Sequence, residues 1–265
     1  MSNYITDSKQ VNLCSTSAIT NNGTKNSVLM FALNGLLKKD PSIMYNLVSV
    51  PHCQIPISYY LVNVNNNLLS TSIGNFTLTN GNYNASSFAT MLLSLLGAGW
   101  NLTINSITGI FTISFTSNFT INSTSTCQKF LGMAANTSYT STSNSLTFPF
   151  PCNFLGINRI KIKSQVFRTK NVDTNSKGAC DLLTTIGVNN AIGGLVAYQN
   201  QMRLINYFEN TNVDFVDISI TDENDNVIDF NNIPVYITLQ LDSIRLQTPE
   251  TDNLNDMGYN NASFE

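Results

Sequence analysis

An all-β, β-rich fold carrying one inserted α+β unit is what this sequence predicts, on three observations. Asn, Ser and Thr supply about 35% of the 265 residues while charged residues supply only 11%, against roughly 25% in ordinary soluble domains. Such a composition suits strands and turns better than helices. Period-two alternation dominates the apolar stretches, most clearly between Val213 and Leu241. There Val216, Ile218 and Ile220 share one face, and Val235, Ile237, Leu239 and Leu241 share another, as half-buried strands require. A helical period is confined to one place, Ala85 to Leu96. The length is enough for one large β domain with an insertion.

The elements follow in chain order. Residues 1–26 are polar and aperiodic, which predicts an N-terminal arm. Ser27 to Leu33, Met44 to Val50 and Ile55 to Val64 read as the first strands, with Pro51 and Pro56 expected at a strand start or sheet edge. From Leu68 the pattern changes. Asn75 to Thr79 reads as a short strand, Asn80-Gly81 as a turn, and Asn84 as the cap of a helix that Gly97 stops. In that helix Phe88, Met91, Leu92, Leu95 and Leu96 make one apolar stripe. Leu102 to Ile107 and Ile110 to Phe115 pair about Thr108-Gly109, giving a βαββ unit over residues 68–147, with a short helix near Cys127 to Met133 and a low-complexity connector at 137–145. Strands resume at Leu146 to Phe150, Ile157 to Phe167, Asp181 to Ile186 and Gly194 to Tyr198. The two stretches between Val213 and Leu241 are expected to pair as a hairpin whose apolar face needs a partner from earlier in the chain. Residues 243–265 read as a mildly acidic C-terminal arm.

Several function classes find little support. A net charge of −3 gives no general attraction to nucleic acid or an acidic membrane. The longest mostly apolar stretch, Phe88 to Trp100, falls well short of the ~20 residues of a membrane span. The N-terminus has no apolar h-region, so no secretory leader is expected. Cys14, Cys53, Cys127, Cys152 and Cys180 are odd in number and widely spaced, and read as buried free thiols of a reducing compartment. Asn-X-Ser/Thr sequons recur, as chance dictates in so Asn-rich a chain.

Three patterns invite a chemical reading. Asp222, Asn224 and Asn226 match the first ligand positions of an EF-hand loop, but Val227 stands where Gly is needed and Ile233 where Glu is needed, so a plain turn is expected. His52 is the sole histidine and adjoins Cys53; neighbours on a strand face opposite ways and cannot act as a nucleophile–base pair. Arg159, Lys161, Lys163, Arg168 and Lys170 predict a basic, solvated strand face, the only place for a contact with an acidic surface or nucleic acid. No catalytic, metal or cofactor residue is expected, and no cofactor.

Five phrases carry a resemblance: IPISYYLVNVNNNLL (55–69), FTLTNGNYNASSFATMLLSLL (76–96), FLGM (130–133), FLGINRIKIKS (154–164) and DENDNVIDFNNIPVYITLQL (222–241). In this order they resemble minor capsid and penton-type proteins of large double-stranded DNA viruses, virophages and polinton-like viruses. The resemblance implies a single jelly-roll β-sandwich over residues 27–67 and 148–242, interrupted by the 68–147 unit. It further implies a non-enzymatic virion capsid protein that assembles with itself, as a homopentamer at a vertex, and with major or other capsid proteins. A host-attachment or carbohydrate-binding module is the alternative, with the lone Trp100 as its weak point.

Overall fold

Alternating apolar residues draw much of the chain into strands, and a two-residue period leaves each strand one face to bury. The computed structural model describes residues 4–168, 181–201, 205–209 and 212–246. The chain opens with β1 (Tyr4–Cys14), β2 (Thr20–Asn21), β3 (Val28–Leu37) and β4 (Ile43–Pro56). Its middle holds β5 (Leu68–Ser70), β6 (Asn75–Thr77), α1 (Ala85–Leu96), β7 (Asn101–Ile104), β8 (Phe111–Ser114), β9 (Thr120–Ile121), α2 (Gln128–Leu131), β10 (Tyr139–Thr140) and β11 (Ser145–Thr147). It closes with β12 (Arg159–Lys163), β13 (Leu182–Gly187), β14 (Leu195–Gln199), β15 (Asn206–Phe208), β16 (Val213–Thr221) and β17 (Tyr236–Leu246).

Two sheets make the sandwich. One runs β1-β17-β4-β14, with β15 also on β4; the other runs β13-β12-β16-β3-β2. Leaving out the two-residue β2 and counting β14 and β15 as one strand, the first sheet takes the first, eighth, third and sixth strands and the second takes the fifth, fourth, seventh and second. Every pairing is antiparallel. That strand order is a jelly roll. Between the sheets lie Val48, Ile55, Ile160, Ile162, Val216, Ile218, Ile220, Leu239 and Leu241, none more than 1% exposed.

The sandwich corrects four expectations. Tyr4–Cys14 is a strand rather than an arm; it pairs with β17 along its whole length, and Val11 and Leu13 enter the core. Sequence period missed it because Thr6 to Gln10 are all exposed and carry no apolar alternation. Secondly, β16 and β17 are not a hairpin. They lie in opposite sheets with their apolar faces toward each other, and the connection at 222–235 is far longer than the 2–5 residues of a hairpin loop. Thirdly, Ile43–Pro56 is one strand inside its sheet, where Met44–Val50 and Ile55–Val64 were expected as two strands with edge prolines; of the second only Ile55 and Pro56 are strand. Pro51 is tolerated because the β4–β17 register shifts between Thr238 and Gln240, and because the other neighbour changes there from β14 to β15. Fourthly, Ser243 to Leu246 continue β17 rather than starting an arm; the remainder of the C-terminal arm lies outside the described residues.

The inserted unit interrupts the sandwich between β4 and β12. Asn84 caps α1 by accepting from the Ser87 N–H at 2.9 Å, while Ser87 Oγ accepts from the Asn84 N–H at 3.0 Å, and Gly97 follows the last turn. Phe88, Leu92 and Leu96 are buried, against Phe111, Phe130 and neighbours in a second core. β7 and β8 form the expected hairpin, but β6 pairs with β5 in a separate sheet and β11 joins β8. Leu146 and Phe148 therefore belong to this second core and not to the sandwich. The supposed connector at 137–145 is built in too: β10 pairs with β9, and buried Ser141 accepts the Phe119 N–H at 2.8 Å. Gly132 ends α2 at φ +77, and its Cα lies so near Phe150 that an added Cβ would stand 2.0 Å from the carbonyl oxygen.

The sandwich has two distinct ends. At one, the root of the insertion meets three connections: Ile57 exchanges backbone bonds with Gly193 and Gly194, Ser58 Oγ donates to Phe230 O at 2.7 Å, and the Phe230 N–H donates to Lys25 O at 2.9 Å. At the other, the β3–β4 and β15–β16 connections meet, Lys39 N–H donating to Asn212 Oδ1 at 2.8 Å. Leu246 pairs with Tyr4 at that second end.

Candidate functional site

The turn after β16 is closed by its own first residue. Asp222 Oδ1 accepts the backbone N–H groups of Asn224 and Asn226, both at 2.8 Å, and Oδ2 accepts the Asn226 side-chain amide at 3.0 Å. Such side-chain-to-backbone bonds are the reason Asp and Asn are chosen for turns. Asp225, in the left-handed region at φ +67, reaches instead to β12: its Oδ1 lies 3.0 Å from Lys161 Nζ and 2.7 Å from Lys163 Nζ. Burial alone would raise its pKa, but the hydrogen bonds and charges of Lys163 and Lys161 outweigh that and hold it below the ordinary value. Among the described residues, no three His, Cys, Asp or Glu side chains gather as a metal ion needs.

The basic face is therefore corrected. Lys161 is only 7% exposed, and Lys163 also faces Asp181 at 3.9 Å. The polar face of β12 looks solvated in sequence because its cover comes from residues about sixty positions away. Arg159 and Arg168 remain exposed, and Lys170 lies outside the described residues. A second acid does similar work unseen by sequence reading: Asp217 on β16 accepts from Ser164 Oγ and from the N–H groups of Gln165 and Val166 at 2.8–2.9 Å. It holds the turn that swings Phe167 into the core. An acid alternating with isoleucines was the available signal, though nothing in sequence names its partner.

His52 and Cys53 stand side by side on β4 and face opposite ways. Cys53 is fully buried, and desolvation pushes its thiol up to about 12 despite a hydrogen bond from the Tyr198 backbone. Cys127 is pushed to about 12 by burial as well. Both thiols stay protonated at neutral pH, which leaves them poor nucleophiles. Cys14 and Cys152 are free but only partly buried, contrary to expectation, and Cys180 lies outside the described residues. His52 lines a shallow cleft of about 290 Å³ on the outer face of the first sheet, with Asn12, Cys14, Gln54, Tyr236 and Thr238.

What the molecule offers in quantity is apolar surface on its sheets. On the outer face of β3 and β16, Val28, Met30 and Phe215 are 43%, 39% and 48% exposed, and Ile19 adjoins Met30. On the first sheet Tyr236 and Tyr207 are about half exposed. Scattered apolar residues are normal on any surface; here Val28 and Met30 share one face of β3, with Asp217 opposite Met30 and Ser219 opposite Val28, and Phe215 lies opposite Ala32. Comparison with solved structures adds a likeness. This chain is similar to the mavirus penton protein. The crystal structure of that protein superposes with a TM-score of 0.48 at 13% identity, over 91% of this chain and 100% of that one. At those values the strand order, and not the superposition, carries the fold. No family model matches the chain, and no curated protein matches it.

Trp100, the residue on which a sugar-binding reading would turn, is already engaged. Its ring stacks on Phe115 at 4.4 Å and meets Phe119 edge-on at 4.9 Å. At the root of the insertion the Tyr59 ring meets Phe230 at 6.4 Å within the sandwich core, and Lys129 of the insertion lies within the field of Glu223 and Asp222. Burial lowers the Lys129 pKa, and those two acids partly offset the fall. Among the described residues, no helix is long and apolar enough to cross a membrane.

Proposed function

We propose that this chain is a structural capsid protein of an icosahedral double-stranded DNA virus, a penton or minor capsid subunit, acting by burial of its sheet faces against copies of itself and against other capsid proteins. The observation that carries the reading is the complete jelly-roll strand order, with the apolar side chains of Val28, Met30 and Phe215 exposed on an outer face. A subunit that works by assembly has to keep such a face for its neighbours. The five sequence phrases that resemble penton and minor capsid proteins support the same reading. No bond-making chemistry is assigned to the chain in this role, and its location is the virion. The separation between the insertion at one end of the sandwich and Leu246 at the other gives the subunit a polarity suited to a shell, with an inside and an outside.

The test is the mass of the purified protein in solution together with its presence in purified particles. Five copies per assembly support a penton, and one copy that enters particles supports a cementing subunit. A protein that stays monomeric and is absent from particles overturns the proposal.

A further inference from the structure

We propose that the open edge of β1 is an interface with a second copy of this chain, the two β1 strands pairing antiparallel about a two-fold axis at Ser8. In the first sheet β1 lies outermost, and among the described residues β17 is its only strand neighbour. At eleven residues it is the longest edge of the sandwich, against six in β13, five in β14, three in β15 and two in β2. Natural proteins blunt such an edge by keeping it short, by bulges, by proline or by charge. The β1 segment YITDSKQVNLC holds no proline, its ladder with β17 runs without a shift, and Thr6 to Gln10 are exposed. Only its two charges remain as a safeguard, and their spacing makes them select a register instead.

The direction of the free backbone groups follows from the ladder. One step beyond β1, the Ser15 N–H donates to Val235 O at 3.0 Å, in the same register that pairs Leu13 with Ile237. Antiparallel pairs alternate between hydrogen-bonded and non-hydrogen-bonded, so the odd-numbered residues of β1 turn their N–H and C=O toward β17. Those of Tyr4, Thr6, Ser8, Gln10 and Asn12 point to the open side, where no backbone bond among the described residues meets them. A row of such groups is the template for strand addition.

Charge then chooses the partner and the register. A copy centred on Ser8 sets Ser8 against Ser8, Thr6 against Gln10 and Tyr4 against Asn12, all residues whose free groups face the edge. These narrow pairs supply about ten backbone hydrogen bonds, two for each pair. Between them Asp7 of each copy stands opposite Lys9 of the other, at the non-hydrogen-bonded positions where side chains lie closest. Both side chains are exposed: Asp7 meets Arg245 only at 4.0 Å, and the Lys9 ammonium uses one of its donors on Leu36 O at 2.9 Å. Centring one residue earlier would oppose Asp7 to Asp7, and one residue later Lys9 to Lys9, both unfavourable. The edge is thus complementary to itself, as an isologous contact requires. A two-fold contact of this kind lies outside any five-fold ring and joins one ring, or one free chain, to another.

The test uses the full chain, mixed in equal parts from isotopically heavy and light preparations. Zero-length carbodiimide is expected to link Asp7 of one isotopic form to Lys9 of the other. Residue-resolved hydrogen exchange is expected to slow several-fold at the Thr6, Ser8 and Gln10 amides as concentration rises, while the Asp7 and Lys9 amides, bonded to β17, stay protected throughout. Ser8→Pro removes a donor from the open edge and none from the β1–β17 ladder; it is expected to abolish both the heavy–light links and the concentration dependence. Edge amides that exchange freely at every concentration, or stay protected at every dilution, would overturn the interface, as would Asp7–Lys9 links confined to one isotopic form. The parent chain decides these outcomes without the variant. Ser8→Pro chains that fold and still give heavy–light links would overturn it too. Each result concerns the purified chain alone and leaves the particle-incorporation test untouched.

Discussion

At the scale of single residues, Asp225 shows how a turn chosen for its backbone acquires an electrostatic duty. Two lysines on β12 converge on one carboxylate, and Lys161 is nearly buried. Replacing the acid by Asn keeps a residue tolerant of φ +67 and removes only the charge. Asp225→Asn is expected to lower stability by about 1–2 kcal/mol at neutral pH, the range for a buried polar group deprived of its partner, discounted for the acid's own partial exposure. The pH dependence has a definite sign. The folded carboxyl titrates below its ordinary value of 3.8, so its contribution is present above that value and disappears as pH falls through the lowered pKa. Urea unfolding at pH 7 should separate the variant from the parent, and the two curves should converge near the acid limit. Separation that persists unchanged in acid would show that the carboxylate charge is not the cause.

At the scale of elements, local signals proved reliable where the determining contacts are local. Asn84, the spacing of Phe88, Leu92 and Leu96, and Gly97 define α1 to the residue, because cap, stripe and stop all lie within the helix itself. The pairing of β16 with β17 failed for the opposite reason: alternation tells which residues share a face and says nothing of which sheet receives them. The connection at 222–235 held the clue, being too long for a hairpin and carrying Phe230, now wholly buried where the sandwich meets the insertion. β1 left no apolar signature over Thr6 to Gln10, since its place is set by the backbone bonds of β17. The lysines of β12 were misread as solvated because a turn distant in sequence covers them. The helix of the insertion also has an energetic consequence. Phe88 meets Tyr83, Phe111, Phe130 and Phe154 within ring-contact distance and is fully buried. Phe88→Ala is expected to cost about 3–5 kcal/mol, as for other large aromatic deletions from a core. Hydrogen exchange should then show lost protection in α1, β7 and β8 while β4 and β17 keep theirs; equal loss in both cores would mean that they unfold as one.

At the scale of the whole molecule, the two cores are separate sets of side chains linked through a narrow root. The insertion leaves and re-enters the sandwich beside one connection, Ile57 bonding to Gly193 and Gly194 and Asn158 accepting the Val188 N–H at 2.9 Å. A chain in which residues 61–155 are replaced by a short Gly-Ser linker is therefore expected to keep the jelly roll. The check is a cooperative thermal transition with retained β-sheet circular dichroism; an unfolded product would show that the insertion is needed to complete the sandwich. The loss of Lys129 from beside Glu223 and Asp222 makes a lower Tm the expected outcome for the shortened chain.

The long ladder between β1 and β17 joins Tyr4 to Leu246, nearly the whole described chain apart. During synthesis the first strand must wait, unpaired along the side that β17 will occupy, until everything between the two strands has left the ribosome. The insertion faces no such delay, because its core is drawn from a continuous middle stretch, Leu61 to Phe148. Late, long-range strand pairing is slow and leaves open strand edges exposed in the meantime. The order of birth therefore favours an insertion that folds first, while the sandwich around its root closes only when β17 arrives.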